Sequence, residues 1–415
     1  MSFLVRVLFL SIVLLPAKLF AQDAPTDSIA SPTAIEEVLP DSSNFVTASI
    51  LFSSPGKEAF FALGHSGIRL KSPSKGLDYC FSFSTILQPG PAFNLALMLG
   101  QMRGGYEALP FKEYIKTFAD EGRGVMEYPL NLTLHEEQEL WRLMDQKIMK
   151  GPVDKFDFIK SNCTSTLMNA INSIMQSERI VYPSIEPLNM GSRDALAYVE
   201  GDIPWMEFFS LTMMSGLSAK APIPIGLIIC PAVWQRLLPE AEIVGLNGDR
   251  RPALESEPRQ LLEQKYVPTP TWLTPIRAFS LLLVIAILIT IAEWLLKWKR
   301  VAKAFDVILF AAYTLFATYL FYASCIRMFG LFWNNLLIAF NLLPFICWLL
   351  FRKKAFYRKL FVFYSIILIA FMAYFSLYMG RIEWAHELLL ATLLIRCMSN
   401  FRELRGVKEL RSYDI

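Results

Sequence analysis

The spacing of apolar side chains divides the chain into four regions. Behind a lone Arg6, residues 7–15 are almost wholly apolar, and a small residue, Ala21, follows. That is the pattern of a secretory signal peptide, residues 1–21, cut after Ala21; a retained anchor helix is the other reading. Residues 22–44 lose the apolar pattern and are polar and rich in Pro and Ser, which predicts a disordered linker.

From residue 45 short segments of different period follow one another. "FVTASILF", "SGIRLKS" and "DYCFSFS" predict strands with Gly- and Pro-rich turns between them. "AFNLALMLGQM" and "FKEYIKTFADE" predict short helices, and "RGVMEYPLNL" another strand. Thr133 followed by Glu136 is a capping-box pattern and starts a helix over "TLHEEQELWRLMDQKIM". "FDFIK", 156–160, predicts a short strand. It runs into "SNCTSTLMNAINSIMQS", where Leu167, Met168, Ile171, Ile174 and Met175 keep helical spacing. Asn162 or Ser161 is the natural N-cap there, so Cys163 falls in the first turn. Mixed short elements predict an α+β domain over 45–265.

From residue 276 the pattern becomes long apolar runs. Four of them, starting near residues 279, 307, 331 and 360, can each cross ~30 Å of hydrocarbon. A fifth, "WAHELLLATLLIRCMSNF", is shorter and carries Glu387 and Arg396. The expectation is an all-α domain of five membrane spans over 276–401, with a tail at 402–415.

Composition sharpens this picture. Of 415 residues 54% are hydrophobic, and the mean hydropathy of +0.39 is too high for an ordinary soluble protein. The net charge of +3 hides a split. Residues 22–275 hold 21 Lys and Arg against 30 Asp and Glu, net −9; residues 276–415 hold 17 against 7, net +10. The acidic part has no basic patch interleaved with aromatics, so no nucleic-acid partner is expected. The basic residues cluster after the first, third and fifth runs. The positive-inside rule then places the α+β domain in the periplasm and the C-terminus in the cytoplasm, as a multi-pass protein of the inner membrane.

The exported region holds three cysteines, Cys80, Cys163 and Cys230, with no Cys/His metal spacing, so no metal and no cofactor are expected. An odd count leaves at least one thiol free. A thiol attacks as thiolate, and a helix N-terminus and a nearby histidine both favour that form. Only three histidines exist: His65 after a glycine before a strand, His135 in the first turn of a charged helix, and His386. The residues alone leave Cys163 open between a packing role and a nucleophile.

"SSPGKEAFFALGHSGIRL", "LDYCFSFS", "RGVMEYPLNLTLHEEQEL" and "FDFIKSNCTSTLMNAI" resemble the periplasmic domain of Lnb-type lipoprotein N-acyltransferases. The matching blocks are Pro55-Gly56, Gly64-His65-Ser66 with Arg69, Asn131-Leu132-Thr133 and Asn162-Cys163-Thr164. The hydrophobic C-terminal part is similar too. The resemblance implies a papain-like fold in permuted order, histidine before cysteine. It implies acyl transfer from a phospholipid donor, through a thioester, to the amine of diacylglyceryl-cysteine on a lipoprotein. Cys163 would be the nucleophile and His65 the base, with oxyanion donors or support from Asn162, Thr164, Ser66 and Asp78. "CFSFS" departs from the family's Asn-Tyr-Gly, so the third catalytic group stays open among Asp78, Tyr79, Ser82 and Ser84. Arg69 would meet a lipid phosphate or form a structural ion pair. Asn334 and Asn335 would bind a headgroup or be solvated at the interface. A cell-wall cysteine peptidase and a non-enzymatic membrane scaffold are the alternatives.

Overall fold

The computed structural model describes residues 46–57, 61–86, 90–151, 154–156, 161–182, 203–213, 230–267, 271–326, 334–343, 354–374 and 384–411. The expected signal peptide, linker and most of the third apolar run lie outside these residues. The described residues form two compact units. One holds residues up to Pro275 together with Ala323–Asn334; the other holds the remaining C-terminal residues.

The first unit is built on an antiparallel seven-stranded sheet. Its strands are β1 (Thr47–Ser53), β2 (His65–Ser72), β3 (Leu77–Thr85), β4 (Arg103–Pro110), β5 (Val125–Pro129), β6 (Asp154–Lys155) and β10 (Arg259–Leu262), in the order β10-β5-β1-β2-β3-β4-β6. A small second sheet joins β7 (Glu178–Val181), β8 (Glu242–Gly245) and β9 (Arg250–Pro252). β1 is central and buried on both faces. Ala48, Ile50 and Phe52 enter the main core, while Leu51 enters a second cluster on the opposite face. That is the period of two expected of a strand covered on both sides.

Helices supply the covers. α1 (Pro91–Met98) connects β3 and β4, and α2 (Phe111–Asp120) follows β4. α3 (Leu134–Met149) begins at the expected capping box: Thr133 Oγ1 accepts from Glu136 N, and Glu136 reaches back to Thr133 N. α4 (Cys163–Ile174) begins at Asn162. Leu167, Met168, Ile171 and Ile174 pack with Ile68, Leu70 and Phe81 of the sheet, so one helical stripe meets one strand face. Tyr114 and Phe118 of α2 cover the other face. α5 (Pro204–Met213) and α6 (Pro231–Leu237) complete this unit. The strand expected at 156–160 is not seen at Phe156, and the rest of it lies outside the described residues. β4 was not expected, because "RGGYEALP" has a Gly pair and no alternation.

The second unit contains α7 (Pro275–Leu295), α8 (Lys299–Cys325), α9 (Leu336–Ala339), α10 (Lys354–Tyr374) and α11 (Trp384–Arg411), α7 and α8 crossing its boundary at their ends. α7 and α8 are long and apolar enough to cross a membrane. α11 answers for the charge in the fifth run. Arg396 is fully buried and holds Asp306 of α8 in a two-point pair at 2.6 and 2.8 Å. It also donates to Glu293 and Thr290 of α7 at 3.0 and 2.7 Å. An arginine that would be costly in lipid is thereby neutralised between three helices.

Candidate active site

The chain enters β2 through Gly64, whose φ of +82° favours glycine. A Cβ there would lie 2.5 Å from the Ser53 carbonyl oxygen. The turn sets His65 opposite Ser53 in the β1–β2 register. Side chains then alternate along β2. His65, Gly67 and Arg69 face α2: the imidazole stacks on Phe118 with centroids 6.4 Å apart. Gly67 admits the Tyr114 hydroxyl, which would sit 2.7 Å from a Cβ. Ser66, Ile68 and Leu70 face the main core and α4.

The two sequence blocks meet through the residues next to them. Ser66 Oγ and Thr164 Oγ1, both 0% exposed, are hydrogen-bonded at 3.1 Å. Residues 98 apart in the chain are thus fixed side by side, with His65 before one and Cys163 before the other. Cys163 is the first residue of α4 and is partly exposed. Asn162 Oδ1 accepts from Thr164 N at 2.9 Å and Ser165 N at 2.8 Å, while Ser165 Oγ accepts from Asn162 N at 3.0 Å. The Thr164 N–H is therefore committed to the cap and cannot serve an oxyanion. No partner for the Cys163 N–H occurs among the described residues. The imidazole and the thiol do not hydrogen-bond each other; Sγ has Thr164 Oγ1 at 3.7 Å.

The electrostatics come from two residues that the sequence did not single out. Arg123 is 2% exposed, donating from Nε to Ser54 O at 2.8 Å, from Nη2 to Ser53 Oγ at 2.7 Å and from Nη1 to Glu121 at 3.1 Å. Its guanidinium also lies 4.7 Å from the Phe118 ring. Burial, and then the Arg123 charge, pull the His65 pKa down to about 4, so the imidazole is neutral at pH 7. The Tyr114 hydroxyl is buried without a hydrogen-bond partner among the described residues. Cys163 is near enough to Arg123 and Tyr114 to interact electrostatically with both.

A partly exposed thiol at a capped helix start, a neutral buried imidazole in the adjoining block and a buried cation therefore lie in one region of the unit. Residues 41–188, which contain both His65 and Cys163, match the family profile of the Lnb N-terminal periplasmic domain. Residues 268–405 match that of the Lnb transmembrane domain. The chain belongs to the Lnb family. It is a membrane protein with a periplasmic N-terminal region and a place in lipoprotein maturation. Neither a curated protein nor a solved structure matches it.

Within this Lnb chain the other expected site residues divide. Arg69 forms the ion pair of its two readings. It binds Asp78 at 2.8 and 2.6 Å and Glu127 at 3.0 Å, with its guanidinium 3.4 Å over Phe111. Asp78 as a third group beside His65 is corrected by register: it pairs with Lys71, six residues along β2 from His65. At about 3.3 Å per residue that is roughly 20 Å away. Ser82 pairs with Gly67 and donates to Glu107 at 2.8 Å; continuing that register sets Ser84 opposite His65. Asn334 Nδ2 donates to the carbonyls of Thr212 and Met213 at the end of α5, at 2.8 and 3.2 Å. That tie and 3% exposure make it a structural link in its unit, and Asn335 is equally buried. His135 sits in the first turn of α3 and His386 is buried in α11. Neither Cys80 nor Cys230 is in a disulfide.

Proposed function

We propose that this protein is a thiol-dependent lipoprotein N-acyltransferase working in a papain-like arrangement, histidine ahead of cysteine. The observation that carries the reading is the Ser66–Thr164 bond, which fixes the Gly-His-Ser and Asn-Cys-Thr blocks together at the start of α4. Cys163 is partly exposed at the first residue of a capped helix, where a nucleophile can be reached by substrate. His65, neutral at pH 7, is able to accept the thiol proton. The reading requires the two side chains to come within hydrogen-bond distance when substrate is bound.

In the first half-reaction Cys163 Sγ attacks the ester carbonyl carbon of a phospholipid. The C–S bond forms, and negative charge gathers on the carbonyl oxygen, met by the Cys163 N–H. The ester C–O bond breaks, and His65 returns its proton to the departing lysophospholipid alkoxide. In the second half-reaction the free amine of a diacylglyceryl-cysteine attacks the thioester. The C–N bond forms as the C–S bond breaks, His65 takes the amine proton, and thiol is restored. Donor and acceptor are both anchored in one membrane, so a tethered enzyme works at high effective concentration.

The test uses the full protein in phospholipid vesicles with a diacylated lipoprotein. The acceptor gains the mass of one fatty acyl group at its N-terminal amine with the wild type, and does not with Cys163→Ala. Release of cell-wall peptides instead of an acylated acceptor would overturn the assignment.

A further inference from the structure

α1 is apolar on both sides, and only one side is explained by the fold. Phe93 is 3% exposed and packs inward with Phe83, Met102 and Phe156; Leu97, one turn on, joins the same cluster. On the opposite side Leu95, Met98 and Leu99, spaced i, i+3, i+4, are exposed to 59%, 53% and 36%. A short surface helix that is apolar on two opposite sides, with Asn94 as its one polar side chain, calls for a non-aqueous neighbour.

Three further observations say what that neighbour is. No charged residue occurs between Asp78 and Arg103, the stretch that contains α1. Gly100, two residues past α1, lies directly against Ile326, so closely that a Cβ would collide with it. Ile326 directly follows Cys325, the last residue of α8, so the residue that touches Gly100 is continuous with a helix long and apolar enough to cross a membrane. α1 also joins β3 to β4 at the end of the sheet where β2 begins: Ser84 and Thr85 pair with Gly105 and Gly104, and Ser53 with His65.

We propose that α1 is an interfacial helix whose Leu95, Met98 and Leu99 face is sunk in the outer lipid leaflet beside the His65 end of the sheet. It holds that end against the acyl-chain region, so a phospholipid reaches Cys163 without leaving the bilayer. The lipid contact rests on the family's membrane setting and on this geometry; only the delivery to Cys163 rests on the function proposed above.

The experiment places a photoactivatable diazirine side chain at position 95 or 98 of the full protein. The protein is held in phosphatidylethanolamine/phosphatidylglycerol vesicles, and the crosslinked peptide is read by mass spectrometry. The expected product is a phospholipid adduct at both positions. Crosslinks only to protein, whether a second copy or another segment of this chain, or only to water, would overturn the proposal. A second arm uses Leu95→Glu/Met98→Glu. Acylation of the wild-type acceptor in vesicles falls at least tenfold. The melting temperature and the rate at which soluble iodoacetamide alkylates the Cys163 peptide stay as in wild type. Unchanged acylation by this variant would equally overturn the proposal. Lipid adducts at position 95 without any acyl transfer would sink the enzymatic reading and leave α1 as proposed. Acyl transfer with no lipid adduct does the reverse.

Discussion

At the scale of single residues, the proposed catalytic pair is His65 and Cys163, set by a strand start and a helix start whose neighbours Ser66 and Thr164 are bonded. Cys163→Ala and Cys163→Ser should melt like the wild type, because Sγ is partly exposed and fills no core position. Both should lose acyl transfer entirely. A clear fall in melting temperature with activity kept per folded molecule would make the thiol a packing residue. His65 predicts a pH dependence. Its folded pKa of about 4 lies below the ordinary value of 6.5, so the fold favours the neutral ring. Its contribution is complete above pH 6.5 and is lost as pH falls toward 4, by about 3 kcal/mol at most. In His65→Asn that loss is absent, so the melting temperatures of variant and wild type should converge between pH 6.5 and 4. Parallel curves would show that His65 is not held neutral. The strand start at His65 and the capped helix start at Cys163 were legible because their local patterns, Gly-His-Ser before a strand and an Asx cap before a helix, are short-range. Arg123 and Tyr114 were not. Arg123 sits in "EGRG", which reads as a solvated turn, and only the pairing of β1 with β5 brings it to Ser53. Tyr114 reads as one more apolar position on the buried side of α2.

At the scale of elements, α4 and α3 follow from their caps, and β1 from its apolar run. β4 was hidden by its glycines, and the fate of Arg69 by partners on two other strands, Asp78 and Glu127. α11 is the instructive case, since Arg396 and Glu387 weakened it as a spanning segment. The structure buries Arg396 against Asp306 and Glu293, charges far away in the chain, with Ser399 and Asn400 completing the network at 2.7 and 2.8 Å. Replacing the arginine leaves two carboxylates buried without their cation. Arg396→Leu should therefore destabilise the helical unit by about 3–5 kcal/mol. The triple change Arg396→Leu, Asp306→Asn, Glu293→Gln should recover much of it. Thermal unfolding in detergent checks this, and a fully stable single variant would show that the network carries no such load.

At the scale of the whole molecule, the family places residues 41–188 in the periplasm. Residues 323–326 and Asn334 belong to the same compact unit as that region. Lys297, Lys299, Arg300 and Lys303 cluster between α7 and α8, at the other end of α8. By the positive-inside rule we propose that the basic loops and the tail are cytoplasmic, which requires an odd number of spans. A cysteine at Ser256, which is exposed, should react with an impermeant thiol reagent once the outer barrier is opened, and a cysteine at Ser412 should not. Labelling at Ser412 would mean an even number of spans.

The central claim is that an acyl group passes through Cys163. Its most direct measurement is the intact mass of the full protein after incubation with a phospholipid of defined chain length and no acceptor. The account predicts a gain of one fatty acyl group, mapped to the Cys163 peptide, removed by neutral hydroxylamine and lost on adding a diacylated lipoprotein. No adduct on Cys163, or one that hydroxylamine leaves in place, would contradict it.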